Sequence, residues 1–336
     1  MEKVIAAFDI GAGSKDLKLG IFDEFDKIEY GEFDFSHIDD SDNLAKFIAE
    51  KITDWGHEIQ AFAGSTPGIF RSDGSYVLAA HLGFLDDTNL RDKIAQELNL
   101  DPKYGAIIND GDAGGLGLWS LLKIRFGYLA IGGDLGGAFV SEEGRIEYPS
   151  TDWDRNDSNL HFSNEPGYSI PLFKDDTQYI VEHYGGNYNL LGIDDLLGPS
   201  DDTDSVRAGA LISGPGIVRI FHSVAGIEKL PKEIDQLAED NIKEGVNTYK
   251  IFGNLMGEVC QTILECSCTD MDFYIGGKPS AAVKYFKEEA ESKINKYNSS
   301  IHQSPIEKRG GNANLTGAAL LANRIKNEQR RIEKVL

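Results

Sequence analysis

Residues 129–140, LAIGGDLGGAFV, run from an apolar strand through a glycine turn into a second strand, and residues 7–23, AFDIGAGSKDLKLGIFD, do the same. A glycine turn between strands lets bare backbone N–H groups approach a phosphate. Asp9 closes the first strand, and Asp134 stands inside the second turn, where an acid opposes an anion. After the first hairpin, IEYGEFDF (28–35) extends the pattern into an antiparallel meander. Ser41 is positioned to cap a helix in which Leu44, Phe47, Ile48 and Ile52 share one face. AFAGSTPG (61–68) reads as strand and turn, TNLRDKIAQELNL as helix and GAIIND (105–110) as strand. Meander, helix, strand, helix, strand is an α/β pattern, and the second hairpin repeats its start.

At 336 residues the chain is long enough for two domains of ordinary size. The formal charge of −22 disfavours nucleic acid and anionic membranes as partners. No apolar run reaches the length of a membrane span, and Asp9 interrupts the start too early for a secretory signal, so the expected location is cytoplasmic. The basic stretch RIKNEQRRIEKVL (324–336) reads as a solvated helix face. Cys260, Cys266 and Cys268 have no second Cys or His pair at zinc-like spacing and read as small buried thiols.

After Asp110, DAGGLGLWSLLKI reads as a helix despite its glycines. Residues 149–205 turn polar and Gly/Asp-rich, which reads as loops and short helices at a cleft. VNTYKIFGNLMGEVCQTIL (246–264) returns to helical period, with Tyr249, Phe252, Met256, Val259 and Ile263 on one face. The strand DFYIGG follows, and a last helix begins after Asn314.

Four segments place Gly, Asp or Asn at a strand end, where an α/β sheet opens its crevice. In the first, Gly11, Gly13 and Ser14 form a phosphate turn, with Asp9 suited to the water shell of Mg²⁺. In the second, IINDGDAGGLG (107–117), Asp110 can accept a proton from a hydroxyl while Asn109 positions the same substrate. The alternative for this pair is an Asx turn capping the following helix. The third is the opening stretch, and the fourth is YIGGKPS (274–280), where a base or ribose could fit.

These segments, with TPGIF (66–70), DGSYVLAAHLGF (73–84), NEPGYSI (164–170) and NANLTGAALLA (312–322), resemble the motifs of the ROK family of sugar kinases and related repressors, in the family's order. NDGDAGGLG also resembles the polyphosphate glucokinase branch. The resemblance implies an α/β fold, the two-domain actin-like ATPase (ribonuclease H-like) architecture with an interdomain cleft. The domains implied are 1–111, completed by a helix at about 315–336, and 112–314. It further implies phosphoryl transfer from ATP, with Mg²⁺, to a hydroxyl of a sugar or sugar-like substrate, as in glucokinases and hexokinases. Asp110 is then the general base. Gly68, His81, Asn109, Glu165 and Tyr168 line the sugar site. Asp9, Gly11, Gly13, Ser14, Lys15, Gly132, Gly133, Asp134, Gly276 and Gly277 surround ATP, and Asp9 holds Mg²⁺ through water. A homodimer is compatible with the resemblance, because family members are often dimers.

The departures are specific. The family's Ile-Gly-Thr-Gly is here Ile131, Gly132, Gly133, Asp134, and the first hairpin is about two residues longer, with Lys15 and Asp16 as the insertion. Two like charges about 4 Å apart at an effective dielectric of about 20 repel by about 4 kcal/mol. Asp134 therefore bonds its own turn, reaches a shared Mg²⁺, or marks a loop that has lost ATP. The family's Glu-x-Gly-His becomes Glu165, Pro166, Gly167, Tyr168, and the Cys-rich motif is absent, so no structural zinc is expected. His81 replaces a family Asn, either as a sugar contact or packed beneath the cleft. The altered hairpins leave a second reading, a non-catalytic sugar or nucleotide sensor. A DNA-binding repressor fits poorly, because the first strand starts by residue 4 and leaves no room for a helix-turn-helix before it.

Overall fold

In the computed structural model, residues 3–11, 13, 15–23, 26–71, 75–79, 82–147, 160–161, 166–193 and 204–333 are described. The strand β1 (Lys3–Gly11) is apolar on both faces because it is covered on both. Val4, Ala6, Phe8 and Ile10 enter one core, and Ile5 and Ala7 enter another, the period-two split of a central strand. β2 (Asp16–Asp23) pairs antiparallel with β1, and β3 (Asp26–Asp34) with β2, forming the meander. The helix α1 (Ser41–Thr53) follows, then β4 (Glu58–Thr66), parallel to β1. The short strands β5 (Ile69–Arg71) and β6 (Tyr76–Leu78) leave the main sheet, α2 (Leu90–Glu97) returns, and β7 (Gly105–Asn109) pairs parallel with β4. The sheet order is β3-β2-β1-β4-β7.

After α3 (Asp110–Leu122) the pattern repeats. β8 (Phe126–Ile131), β9 (Leu135–Val140) and β10 (Ile146–Glu147) form a second meander. β11 (Leu160–His161) pairs with β5. Next come α4 (Pro166–Ser169), β12 (Pro171–Phe173) and α5 (Lys174–His183), then β13 (Ser205–Arg207), which pairs with β12. α6 (Ala208–Leu211), α7 (Gly214–Ala225), α8 (Pro231–Glu239) and α9 (Lys243–Ser267) lead to β14 (Asp272–Gly276). α10 (Val283–Ile294), β15 (Ile301–Gln303), α11 (Pro305–Lys308) and α12 (Ala313–Glu333) complete the described chain. The second sheet is ordered β10-β9-β8-β14-β15, with β14 parallel to β8 and β15. Both sheets thus have the same arrangement, an antiparallel meander continued by two parallel strands.

The two halves meet where α3 crosses α12. Cβ atoms built on Gly117 and Gly317 would overlap the carbonyls of Ala313 and Ala113, so the helix backbones touch. The glycines of α3 are packing residues, which is why they do not break the helix. α3 lies on the second sheet, with Gly115 against Ala138 and Val140, and α12 lies on the first through Leu315, Ala318, Ala319 and Ala322.

Four local expectations change. Asp40, not Ser41, caps α1: its extended backbone lets the carboxylate accept from Asn43 N at 2.8 Å. α12 starts at Ala313, so Asn314 lies in its first turn. Within the basic C-terminal stretch Lys326 is buried, and its Nζ donates to Lys3 O at 3.2 Å. Cys260 is a buried thiol, pushed up in pKa by burial, but Cys266 and Cys268 are exposed because α9 ends there and turns outward at left-handed Cys268. The face read in α9 is buried as expected. Among the described residues no helix is long and apolar enough to cross a membrane.

Candidate functional site

Asp9 lies near the end of β1, on the face that meets α12, and is 5% exposed. Strand register places Lys18 directly opposite it on β2 and Ser65 beside it on β4. Ser65 Oγ donates to Asp9 Oδ1 at 2.6 Å, and Asn314 Nδ2 donates to the same oxygen at 3.2 Å. Asn312 Nδ2 donates to Oδ2 at 2.9 Å, and Lys18 Nζ lies 3.7 Å from Oδ2. Lys18 Nζ is also 3.4 Å from Asp16. A carboxylate has about four acceptor sites, and donors surround both of these oxygens. Direct coordination of a metal would displace one of them, whereas a hydrated Mg²⁺ need only exchange a bond through its water.

Asp110 is the first residue of α3, set by the cap before it. Asn109 is 1% exposed, and its Oδ1 accepts from Gly111 N at 2.8 Å and Asp112 N at 3.4 Å. Its Nδ2 donates to Gly68 O at 3.0 Å. Gly68 has φ of +147°, a region that favours glycine. The Asn109 carboxamide therefore ties the Gly68 turn to the start of α3, the Asx arrangement that the sequence left open. Asp110 Oδ1 accepts from Gly111 N at 2.9 Å. Burial, with the charge of Asp9 behind it, pushes the Asp110 carboxyl up to about 6 against the backbone donors that would lower it. Desolvation outweighs the helix N-terminus here, which by itself would favour the anion.

The second hairpin lies against this carboxylate's helix. A Cβ on Gly111 would stand 2.6 Å from Gly137 O, so the first turn of α3 abuts β9 directly. The hairpin turns tightly, with Gly132 N donating to Asp134 O at 2.9 Å, and Gly214 N anchors Gly132 O at 2.9 Å. Gly133, at the tip, is exposed, and a Cβ there would meet nothing within 4 Å. In the first hairpin Gly13 is equally open, and Lys15 has φ of 51° and accepts from Phe35 N at 3.0 Å through its carbonyl.

No protein-family model matches the sequence, and a comparison with curated proteins returns no match. Solved structures do match. A ROK hexokinase from Thermus thermophilus superposes with a TM-score of 0.69 at 15% identity, over 94% of this chain and 97% of that one. A ROK family glucokinase from Streptomyces griseus, in complex with glucose and AMPPNP, gives 0.66 at 16% identity over 96% and 99%. A ROK family transcriptional regulator, a homologue of the E. coli MLC protein, gives 0.72 at 14% identity over 96% and 78%. The fold is that of the ROK sugar kinases.

Within this ROK fold, α3 brings three expected features together: Asp9, Asp110 and the second glycine hairpin. Gly276 ends β14 and Gly277 follows it, beside that hairpin. Cβ atoms on them would overlap the Tyr128 hydroxyl and the Ile131 carbonyl, and Gly277 has φ of +79°. Tyr128 donates to Glu307 at 2.7 Å, and burial together with that carboxylate raises its pKa. Ser14, His81 and Glu165 lie outside the described residues, and Tyr168 falls in α4. Sequence reasoning missed Lys18, Ser65, Asn312 and Asn314 around Asp9. Register would have found Lys18, since a hairpin places it opposite Asp9 once the turn is centred at residues 12–15.

Proposed function

We propose that this protein is a sugar kinase that transfers a phosphoryl group from ATP to a hydroxyl of a sugar or sugar-like substrate. The observation that carries this reading is the place of Asp110. It is a partly buried carboxylate with its pKa pushed up to about 6, at the junction of β7 with α3 and against the second glycine hairpin. A base with a pKa near neutral accepts a proton from a hydroxyl while remaining mostly ionised at pH 7. Asp110 takes that proton as the sugar oxygen bonds to phosphorus. Asn109 and Gly68 hold the position of the base, and the glycine backbones of the two hairpin tips receive the phosphates. Lys18 offsets phosphate charge next to Asp9. The nucleoside lies beside the turn at Gly276 and Gly277, which pack against Tyr128 and Ile131, and Asp9 would accept hydrogen bonds from the water shell of Mg²⁺. When bound, Mg²⁺ neutralises charge on the phosphates. Residues 1–111 with about 315–336, and 112–314, are the two domains whose closure excludes water.

ADP release from Mg-ATP, measured across glucose, mannose, N-acetylmannosamine and related sugars, tests the reading. Sugar-dependent ADP is expected for at least one of them. A sugar that raises the melting temperature while none yields ADP would instead support a sensor, the reading favoured by the altered second hairpin and by the regulator of the same fold.

A further inference from the structure

Asp134 is exposed beside the tip of its hairpin, but one oxygen of its carboxylate is turned back from it. Its Oδ1 accepts from Leu135 N at 2.8 Å, which folds the carboxylate back onto its own strand. There it meets two glycines from separate segments. A Cβ on Gly167 would lie 2.7 Å from Oδ1 and 2.6 Å from Leu135 O, and a Cβ on Gly209 would stand only 1.4 Å from Oδ1. Neither glycine has a positive φ, so φ does not demand glycine at either place; at Gly209 the space taken by Asp134 does, and at Gly167 Asp134 shares that role with the Leu135 carbonyl.

Gly167 belongs to α4 and Gly209 to α6, and the two form one unit. β12 leaves α4, β13 enters α6, the two strands pair, and Ala208 N donates to Ile170 O at 3.0 Å. Pro166 adds a further contact, its Cγ 3.3 Å from where a Cβ on Gly137 would stand. We propose that Asp134 is a positioning residue that seats the α4–α6 unit on the second hairpin and so sets the acceptor side of the cleft. It does not bind metal or phosphate. The threonine that the resemblance expects is Gly133 here, and the glycine after it has given way to an acid, Asp134, packed against glycines from two other segments. The acceptor part of this proposal rests on the sugar-kinase reading, through Tyr168 in α4; the packing part does not.

Asp134→Ala, Gly209→Ala and the double variant test both parts. Gly209→Ala is expected to melt several degrees lower, and Asp134→Ala added to it to recover at least half of that loss, because the new methyl takes the vacated space. Asp134→Ala alone is expected to raise KM for the sugar that gives turnover about tenfold while leaving KM for Mg-ATP and the Mg²⁺ requirement in place. If Gly209→Ala does not fold, a folded double variant is itself the rescue. An unrelieved loss in the double variant overturns the proposal. A change in Mg-ATP or Mg²⁺ dependence in place of sugar KM overturns it as well. Should the unmodified protein phosphorylate no sugar, the kinase reading falls, and the melting comparison still decides where the Asp134 carboxylate stands.

Discussion

The two glycine hairpins occupy equivalent places in two sheets of the same topology, yet they treat their acids in opposite ways. In the first, Asp9 is held by Ser65, Asn312 and Asn314 and faces a cation, Lys18. In the second, Asp134 accepts from the N–H of Leu135 and otherwise rests against glycine. One acid is kept by hydrogen bonds and charge, the other by shape. Charged and side-chain hydrogen-bond contacts are therefore concentrated on the first hairpin, and the contrast can be broken at either end.

Among changes at the two hairpins the largest effect is expected from Asp9→Asn, which leaves Lys18 facing a neutral amide and removes the charge that helps raise the Asp110 pKa. Turnover is expected to fall by at least about a hundredfold. The acidic limb of the kcat/KM profile should also move. With Asp9 intact, activity is expected to be lost as pH falls through about 6 and the base is protonated. Neutralising a nearby negative charge favours the ionised form, so in Asp9→Asn the limb shifts to lower pH. A limb that stays put or moves upward contradicts the coupling. Lys18→Met comes next: KM for Mg-ATP should rise more than in Lys15→Met, which initial-rate kinetics on the pair will decide.

A packing change at the crossing of the halves is expected to cost less. Gly317→Ala sets a methyl against the Ala113 carbonyl and should destabilise by about 1–3 kcal/mol in denaturant unfolding. Smallest of all, Asp40→Ala removes the cap of α1, far from both hairpins. A loss of about 1 kcal/mol with unchanged kinetics is expected.

The repeated meander was legible because it rests on continuous apolar runs: β1 and β8 are apolar on both faces, and their return strands follow glycine turns. The α3 helix was legible as well, although the reason for its glycines was not, because Gly117 and Gly317 answer to a helix far along the chain. The same distance hid the surroundings of Asp9. Asn312 and Asn314 lie some three hundred residues from it, and nothing local in NANLTGAALLA points to a carboxylate on β1. Asn109 was read both as a substrate contact and as a cap, and burial with its hydrogen bonds places it as the cap. α7 starts with Gly-Pro-Gly, a loop composition, yet Ser213 Oγ accepts from Gly216 N at 3.0 Å and Pro215 fits the first turn. Where the Asp134 carboxylate packs is visible only in three dimensions, since its glycine partners lie at 167 and 209.

The central claim, that Asp110 is the base of a sugar kinase, is tested most directly by sugar-dependent ADP release from Asp110→Asn beside the unmodified protein at pH 8. The predicted result is a loss of about a thousandfold in kcat, with the melting temperature and its rise on adding sugar preserved. Turnover in Asp110→Asn within tenfold of the unmodified protein would contradict the claim.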